Sequence, residues 1–307
     1  MKAFVALADA GTYHAAAEIL CITQPALTRR IQKLENLLGV KLLVRSTRRL
    51  RLTGAGYEFL DKARRIVIDT DNAVAELRAA GTQRHGQVRI ACLPSVGLRL
   101  LPEILPEYQR THPRVALRVV DVNAIQVLDL VRNGEVDFGL GMQLSEMPDV
   151  ACEPLFAEPL GIICNENHSL AQHNDLQWSD LVGFPLVFNI DQSGNWLLVQ
   201  RELNGAEIRL NWFHQTHSIL GALMLIRRGD AVAVMPSSIT DALGLKGIVF
   251  RAVGGPEIHR QTVIIQRPAS LRSSYAQVLF DLCRAKGQKL ASNQPFAGSN
   301  GTGGKSP

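Results

Sequence analysis

The chain has 307 residues, of which 46% are hydrophobic and 20% are charged, and its formal net charge is +5. This length and apolar content can bury a substantial core, which excludes a disordered chain and a small protein held together by disulfides. We find no apolar run near the roughly 20 residues of a membrane span and no export signal at the N-terminus, so we expect a cytoplasmic protein.

Residues 12–35 predict two helices joined by a turn too short for any other connection. Thr12 and Thr23 each stand where a side-chain oxygen can cap a following helix, and Pro25 suits the first turn of the second helix. Apolar residues recur at helical spacing in these helices and in a preceding one, at Phe4, Val5, Leu7, Ala16, Ile19, Leu20, Leu27, Ile31 and Leu34. The pattern predicts a three-helix core that contains a helix-turn-helix.

The outer face of the second helix carries Gln24, Thr28, Arg29, Gln32 and Lys33. Amide, hydroxyl and cationic groups of this kind bind base edges and phosphates in a major groove. This face therefore predicts contact with DNA. For a helix pair considered alone, the alternative is an amphipathic hairpin with a solvated basic surface.

The segments 41–44 and 50–52 predict a short two-stranded wing after Gly39. The wing carries four arginines within seven residues, at Arg45, Arg48, Arg49 and Arg51. Such a cluster of cations suits the DNA backbone, so it favours the DNA-binding interpretation over the solvated hairpin.

A long helix is predicted next, with Thr53 as its cap. Residues suited to a helix–helix seam recur every three or four positions, at Phe59, Ala63, Ile66, Thr70, Ala73 and Leu77. This spacing is typical of a face that packs against a partner helix. We therefore expect the helix to dimerise the chain.

Positive charge is concentrated in the N-terminal part of the chain. Residues 1–65 contain 12 Lys and Arg against five Asp and Glu, an excess of +7, so the remainder sums to −2 within the total of +5. The basic character belongs to the predicted DNA module, and its phosphate contacts should make binding salt-dependent.

These motifs resemble those of the LysR-type family of bacterial transcriptional regulators. The matching positions are Phe4, Thr12, Ala16, Ala17, Leu20, Thr23, Gln24, Pro25, Ala26, Leu27, Thr28, Leu34, Glu35, Gly39, Leu42, Arg45, Leu52, Thr53, Gly54, Ala55 and Gly56. Departures are mild, with Thr for the usual Ser at 12, 23 and 28 and Leu43 for the usual Phe. Family members usually have several residues before the position of Phe4, which puts Met1 inside the first helix.

The resemblance implies a sequence-specific regulator with an all-α winged helix-turn-helix over 1–56 and a linker and dimerisation helix over 57–81. Its implied partners are double-stranded promoter DNA, a small-molecule effector and RNA polymerase. The chain is implied to form a homodimer or homotetramer and not to bind a membrane. The residues assigned to DNA are Thr12, Thr23, Gln24, Pro25, Thr28, Arg29, Gln32, Lys33, Arg45, Arg48, Arg49 and Arg51.

The stretch 81–86 contains two glycines and predicts a domain boundary. Beyond it, strands are expected over 88–92, 115–120, 136–140, 161–164, 185–188, 208–213, 231–235 and 262–266. Helices are expected over 98–110, 125–133, 219–228 and 273–286. This alternation predicts a mostly parallel α/β sheet with covering helices.

The second part of the chain also resembles the effector-binding domain of the same family, which has a two-lobed, Rossmann-like fold of the type 2 periplasmic-binding-protein kind. The segments that carry the resemblance are 101–102, 112–113, 130–137, 168–171, 229–236 and Arg260. It implies an effector domain over 87–290, with lobe I at 87–158 and 262–290 and lobe II at 159–261. The chain should cross between lobes near Pro159 and Arg260 and leave a ligand cleft between them.

Open parallel sheets bind ligands beyond the carboxyl ends of their strands. The residues that follow the predicted strands, or that family precedent places in the wall, are Ser95, Asn123, Gly141, Met142, Gln192, Ser193, Thr216, Pro236 and Ser237. Family precedent makes Ser95 the strongest candidate, and its place at the start of a helix would let its hydroxyl and the neighbouring N–H groups hold a carboxylate. The alternatives are that Ser95 and Asn123 only cap helices and that Gln192 and Ser193 lie in a solvated loop. A small organic acid is the family-weighted expectation for the effector.

No enzyme is predicted. The chain lacks a phosphate-binding loop, and Ser95 lacks the Gly-x-Ser-x-Gly elbow of a hydrolase. The pairs His168 with His173 and His214 with His217 lack further ligands at metal-binding spacing, so we expect neither metal nor cofactor. Two alternatives to gene regulation remain at this point: a ligand sensor whose basic arm serves assembly, and a hydrolase or isomerase that uses Ser95.

Five scattered cysteines predict buried free thiols rather than a disulfide framework. They are Cys21, Cys92, Cys152, Cys164 and Cys283. Redox sensing through Cys152 and Cys164 is the alternative, although nothing in the sequence indicates an activated thiol. Residues 291–307 are rich in Gly, Ser and Asn, which predicts a disordered tail.

Overall fold

A computed structural model describes residues 1–44, 50–80, 86–144, 147–189, 194–204, 208–216, 218–268 and 272–292. The chain forms two compact units. The first comprises Met1–Gly86 and Asn133–Glu135, and the second comprises Gln87–Arg132 and the described residues from Val136 onward. Among the described helices, none is both long and apolar enough to cross a membrane.

The first unit contains four helices, α1 (Lys2–Ala10), α2 (Tyr13–Ile19), α3 (Gln24–Leu38) and α4 (Gly54–Ala80). Two of the three predicted caps form, because the Thr12 hydroxyl accepts a hydrogen bond from the Ala15 N–H at 3.2 Å and the Thr53 hydroxyl accepts one from Gly56 at 3.0 Å. The third prediction was wrong. Thr23 stands at the N-cap of α3 in an extended conformation, but its side chain makes no capping bond.

The predicted three-helix core is present. Its fully buried side chains include Phe4, Leu7 and Leu27. Ile19 is the exception, because it lies at the last residue of α2 and is 65% exposed. The next residue, Leu20, packs against the core instead.

The wing has a minimal antiparallel ladder in which Leu43 pairs with Leu52 and the Val44 N–H donates to the Arg51 carbonyl at 2.9 Å. The tip, residues 45–49, lies outside the described residues. Gly56 packs directly under the wing, since a Cβ at this position would clash with the backbone carbonyl of Leu42. A glycine is therefore required here for α4 to approach the wing.

Two residues of the predicted dimer seam of α4 pack within their own unit instead. Phe59 packs against Phe4 with ring centroids 5.8 Å apart, and Ala63 is fully buried, so these two residues belong to the core of their own unit. Ile66 and Thr70 are exposed. The side chains of Ala73 and Leu77 lie outside the described part of the chain.

The second unit is an α/β structure. Its strands are β1 (Gln87–Cys92), β2 (Ala116–Asp121), β3 (Phe138–Met142), β4 (Ala151–Asn165), β5 (Leu186–Asn189), β6 (Trp212–Thr216), β7 (Val232–Pro236), β8 (Ile248–Ala252) and β9 (His259–Gln266). Its helices are α5 (Pro94–Thr111), α6 (Ala124–Asn133), α7 (Gly194–Leu203), α8 (Ile219–Ile226), α9 (Ser238–Leu243) and α10 (Ser274–Ser292). Two short 3₁₀ helices cover Ser169–Gln172 and Trp178–Leu181.

The strands form two lobes joined by β4. The strand order is β2-β1-β3-β9-β4-β7-β5-β6, and β8 pairs with the far half of β4. Residues 151–159 of β4 pair with β9, whereas residues 160–165 pair with β7 and β8. The long strand therefore leaves one sheet and enters the next at Pro159, where sequence analysis expected the first crossing.

Several elements differ from their predicted extents. The β4 strand is longer than the predicted 161–164. A proline inside a stretch argues against a strand, so Pro154 explains the short prediction. In the structure, Pro154 is exposed and lies at a bulge of β4. The β6 strand is displaced from the predicted 208–213, while α7, α9 and β8 were not predicted. Helix α10 continues through Ala291 and Ser292, which were assigned to the tail. Residues 293–307 are not described.

Candidate DNA-binding and effector-binding sites

Helix α3 presents five of the twelve predicted DNA-binding residues to solvent. Gln24, Pro25, Arg29, Gln32 and Lys33 are all exposed, as is Arg51 on the wing. Thr28 is half-buried, and its hydroxyl donates to the Gln24 carbonyl at 3.0 Å. The sites predicted at Arg45, Arg48 and Arg49 fall outside the described residues.

Glu35 connects α3 to the wing, a role that the sequence did not indicate. Its carboxylate is 93% buried, since only 7% of the residue is exposed, and it accepts hydrogen bonds from the N–H groups of Leu42 at 2.9 Å and Leu43 at 3.2 Å. Lys41 Nζ lies 2.8 Å from the same carboxylate. Burial raises the pKa of Glu35, but the bonds from Lys41, Leu42 and Leu43 outweigh it and lower the pKa overall. An ionised Glu35 thus fixes the wing relative to the outer face of α3.

The second unit contains a cavity of about 960 Å³ between its two lobes. Five of the predicted effector residues line it, namely Ser95, Asn123, Met142, Thr216 and Pro236, whereas Ser237 does not. Gln192 and Ser193 are not among the described residues. The cavity lies beyond the carboxyl ends of parallel strands, where ligands of such sheets are expected.

Gly141 was predicted to line the cavity, but it is not among the residues that line it. Side chains of consecutive residues in a strand point to opposite faces, and Met142 is the one that reaches the cavity. A Cβ at Gly141 would lie 2.7 Å from Ile265 Cδ1. The glycine therefore serves close packing against β9 rather than ligand contact.

Ser95 is not a helix cap. Leu93 occupies the N-cap position of α5, and Ser95 lies in the first turn, where it is 94% buried. Its hydroxyl accepts a hydrogen bond from Arg260 Nη2 at 3.0 Å. The structure thus brings Ser95, near the start of α5, together with Arg260, which follows it by 165 positions.

Arg260 is the principal cavity residue that sequence analysis did not assign to the site. It lines the cavity from β9 and is 2% exposed. Its guanidinium is ion-paired with the fully buried Glu158 of β4, and its Nη1 donates to Asn195 Oδ1 of α7 at 3.3 Å. The sequence indicated only that Arg260 lies where the chain crosses between lobes for the second time. That position does not tell whether its side chain points into the cavity.

Asn123 and Thr216 are engaged in local turns. Asn123 Oδ1 accepts a bond from the Gln126 N–H at 2.9 Å, and the Gln126 side chain accepts one from the Asn123 N–H at 3.3 Å. Thr216 Oγ1 accepts a bond from the Ser218 N–H at 3.4 Å. The capping alternative is correct for Asn123, although both residues still border the cavity.

The rest of the cavity wall is largely apolar. It includes the aromatic residues Phe188, Trp196 and Trp212, as well as many aliphatic side chains. Trp212 is notable because its buried indole N–H has no hydrogen-bond partner in the described parts of the chain. An apolar wall with a few polar groups at one end suits an amphipathic small molecule.

Four cysteines lie in environments that keep the thiol protonated. Burial raises the pKa of Cys92 and of Cys283 to about 12 and that of Cys164 to about 11. Burial also raises the pKa of Cys152. Because the thiolate is the reactive form, neither Cys152 nor Cys164 has the activated character that redox sensing requires.

Three of the four histidines considered as metal ligands are described, and His217 lies outside the described residues. His168 is buried, its Nδ1 accepts a bond from the Leu170 N–H at 3.2 Å, and its ring lies against Phe184. Burial lowers its pKa, which favours the neutral ring. Within the ranges that the structure describes, no three His, Cys, Asp or Glu residues are grouped to hold a metal ion.

Comparison with known families gives two matches that together span most of the chain. Residues 1–57 match the bacterial regulatory helix-turn-helix proteins of the lysR family, and residues 81–288 match the LysR substrate binding domain.

Individual proteins agree with the family matches. The uncharacterised HTH-type transcriptional regulator YbhD of Escherichia coli (strain K12) is 31% identical over 282 residues, which cover 92% of this chain and 89% of YbhD. The Hca operon transcriptional activator HcaR of the same organism is 31% identical over 265 residues, covering 83% and 86%. The crystal structure of CbnR, a LysR family transcriptional regulator, shares the fold with a TM-score of 0.63 and 24% identity, covering 93% and 97%.

Proposed function

The chain belongs to the lysR family of bacterial regulators and is a DNA-binding transcriptional regulator with an effector-binding domain; on this premise, we propose which residues bind each partner. The outer face of α3 enters the major groove, with Arg29 and Gln32 contacting base edges. The observation that supports this assignment is the full exposure of a polar and cationic face on a helix whose other side is buried.

The remaining contacts would position the protein on the duplex. Lys33 and Arg51 are exposed cations suited to phosphates, and Thr12 and Thr23 stand at the starts of α2 and α3, where helix N-termini favour anions. Arg45, Arg48 and Arg49 of the wing tip would contact the adjacent backbone. Glu35 sets the geometry of this interface by connecting the wing to α3.

The effector is proposed to be a small organic acid bound in the cavity between the lobes. The single observation that carries this proposal is the contact between the Ser95 hydroxyl and the buried Arg260 guanidinium at one end of a largely apolar cavity. A carboxylate would bind at this polar end, and an apolar body would pack against the aromatic wall. Asn123, Thr216 and Pro236 would form part of the rim.

The chain is proposed to act as a homodimer or homotetramer in the compartment that holds the chromosome, and to influence RNA polymerase at the promoter. Dimerisation would use α4 beyond Ala63, where Ile66 and Thr70 are exposed on successive turns. Two symmetric copies would place two α3 helices on neighbouring turns of DNA.

Footprinting tests the DNA-binding assignment. The intact chain, at low salt, should protect a partly palindromic site upstream of its own gene or an adjacent one. Binding should weaken with salt, with a log–log slope of about −0.9 per neutralised phosphate. A lack of protection at any such site would contradict the proposal and would favour a ligand sensor whose basic segment serves assembly.

A further inference from the structure

Three buried or half-buried charges form a chain behind the cavity. Glu158 on β4 lies directly opposite Arg260 on β9 in the strand register, and the two are ion-paired. The second carboxylate oxygen of Glu158 lies 3.3 Å from Arg99 Nη1 of α5. Glu158 is fully buried, Arg260 is 2% exposed and the Arg99 side chain is 21% exposed. One carboxylate therefore serves two guanidinium groups.

The three residues differ in their access to a ligand. Arg260 lines the cavity, whereas Arg99 and Glu158 are outside its lining. Arg99 instead lies over the Phe156 ring, with its guanidinium carbon 4.6 Å from the ring centroid. Arg99 therefore affects the cavity without contacting a ligand, and its ion pair with Glu158 connects it to Arg260.

The charge count of this cluster is +1, because two guanidinium groups share one carboxylate. If Arg99 were absent, Glu158 would neutralise Arg260 completely. With Arg99 present, Glu158 is shared and Arg260 keeps an uncompensated positive charge next to the cavity. An uncompensated charge at low solvent exposure is costly and favours a counter-ion.

Arg260 also has hydrogen-bonding capacity to spare. Its Nη groups bond Ser95, Glu158 and Asn195, but its buried Nε has no hydrogen-bond partner within the described residues. Ser95 lies in the first turn of the 18-residue helix α5, where its own N–H lacks an acceptor within the helix, whereas the N–H groups of Val96 and Gly97 bond the Leu93 carbonyl. Both features favour a negatively charged ligand group at the same end of the cavity.

The other ionisable carboxylate of the cavity does not cancel this charge. Asp121 lines the cavity from β2, but it is solvent-exposed. Three strand spacings separate β2 from β9, a distance on the order of 14 Å. Water therefore screens Asp121 from Arg260.

We infer that Arg99, a residue outside the cavity, sets the charge that the effector must carry. By sharing Glu158, it leaves Arg260 able to accept one anionic group, so the cavity selects a monoanion with an apolar body. A neutral isostere of the acid would leave the charge of Arg260 uncompensated. A ligand with a second carboxylate would have to lose the hydration of that group against the apolar wall of the cavity. Arg99 is thus a positioning residue that determines specificity. This inference rests on the proposed function for the location of the effector site.

Isothermal titration calorimetry on the full chain tests the inference with matched probes. The probes are cyclohexanecarboxylate and phenylacetate, the carboxamide of each, and the dicarboxylate of cyclohexane. We expect each acid to bind at least roughly tenfold more tightly than its amide, as is typical of hydrogen bonds to charged groups. Equal binding of acid and amide would overturn the inference, as would no binding of either acid up to tens of millimolar.

Substitutions of Arg99 separate charge from shape. Arg99→Gln should reduce the ratio of acid to amide affinity to about one, whereas Arg99→Lys should largely retain it. Arg118→Gln removes an exposed cation of the same lobe outside the cavity and serves as the control, so its ratio should equal that of the wild type. An unchanged ratio in Arg99→Gln would overturn the inference.

A second variant applies if Arg99→Gln does not fold. Glu158→Gln leaves both cations without their carboxylate, so affinity for the dicarboxylate should rise relative to the monocarboxylates. A fall or no change in that ratio would contradict the inference. Gel shifts on promoter DNA are run in parallel, because loss of DNA binding would count against the proposed regulator function without changing the acid selectivity.

Discussion

The helix-turn-helix unit and the effector unit place their functional groups in opposite environments. In the first, Arg29, Gln32 and Lys33 stand on the exposed face of a single helix within five residues of one another. In the second, Ser95 and Arg260 are buried and come from segments 165 residues apart. A DNA groove can be contacted by an exposed polar helix face, whereas recognition of a small molecule requires desolvated groups held by the surrounding fold.

The largest expected effect concerns the buried charges of the effector unit. Glu158→Ala should lower the free energy of unfolding by about 3–5 kcal/mol, because it leaves Arg260 buried without its ion-pair partner. Urea unfolding of the full chain measures the change. Glu257→Ala removes an exposed carboxylate and should change stability by less than about 0.5 kcal/mol. Equal effects of the two substitutions would mean that Arg260 does not depend on Glu158.

In the helix-turn-helix unit, the comparable buried carboxylate is Glu35. Glu35→Ala should lower the free energy of unfolding by about 1.5–3 kcal/mol at neutral pH, the range for hydrogen bonds to a charged group. The folded-state pKa of Glu35 lies below its usual 4.5, so this stabilisation is present above pH 4.5 and is lost as the pH falls through the folded-state pKa. Urea unfolding at several pH values measures it.

The control for Glu35 is Glu58→Ala, which removes an exposed carboxylate from α4. Its effect should be small, within about 0.5 kcal/mol, at neutral pH. A pH-independent loss in Glu35→Ala would show that the packing of the side chain matters and that its charge does not.

Contacts on the exposed face of α3 should affect specificity instead of stability. Arg29→Ala or Gln32→Ala should each lose about 1–3 kcal/mol of discrimination between the correct base pair and its substitutes. Gel shifts against a protected site and its single-base variants measure this loss. Arg228→Ala, an exposed arginine of the effector unit, is the matched control. A uniform loss across all sequences would assign the residue to a phosphate contact.

The smallest effect is expected for Ser95. Ser95→Ala removes one hydrogen-bond acceptor from Arg260 and should lower the free energy of unfolding by about 0.5–1.5 kcal/mol. It should also weaken binding of an organic acid while leaving DNA affinity without acid unchanged. Calorimetry and gel shifts separate these effects. If acid binding is unaffected, Ser95 has only a structural role.

The differences between prediction and structure follow from the range of the interactions involved. The cap at Thr12, the cap at Thr53 and the buried stripe of α3 depend on residues a few positions apart, and they were predicted correctly. Phe59 and Ala63 fit a helical seam equally well, but helical spacing does not reveal whether the surface opposite belongs to the same chain or to another. Gly141 does not line the cavity, because β3 extends two residues beyond its predicted end.

The sequence by itself determined the family, the two-part organisation and the exposed polar face of α3, because these depend on local spacing and on motifs at fixed intervals. Only the tertiary structure decided that Arg99 and Arg260 share the carboxylate of Glu158. Strand pairing between β4 and β9 sets Glu158 opposite Arg260, and a pairing between segments about 100 residues apart leaves no periodic signal along the chain. The charge of the effector site is therefore a property of the fold.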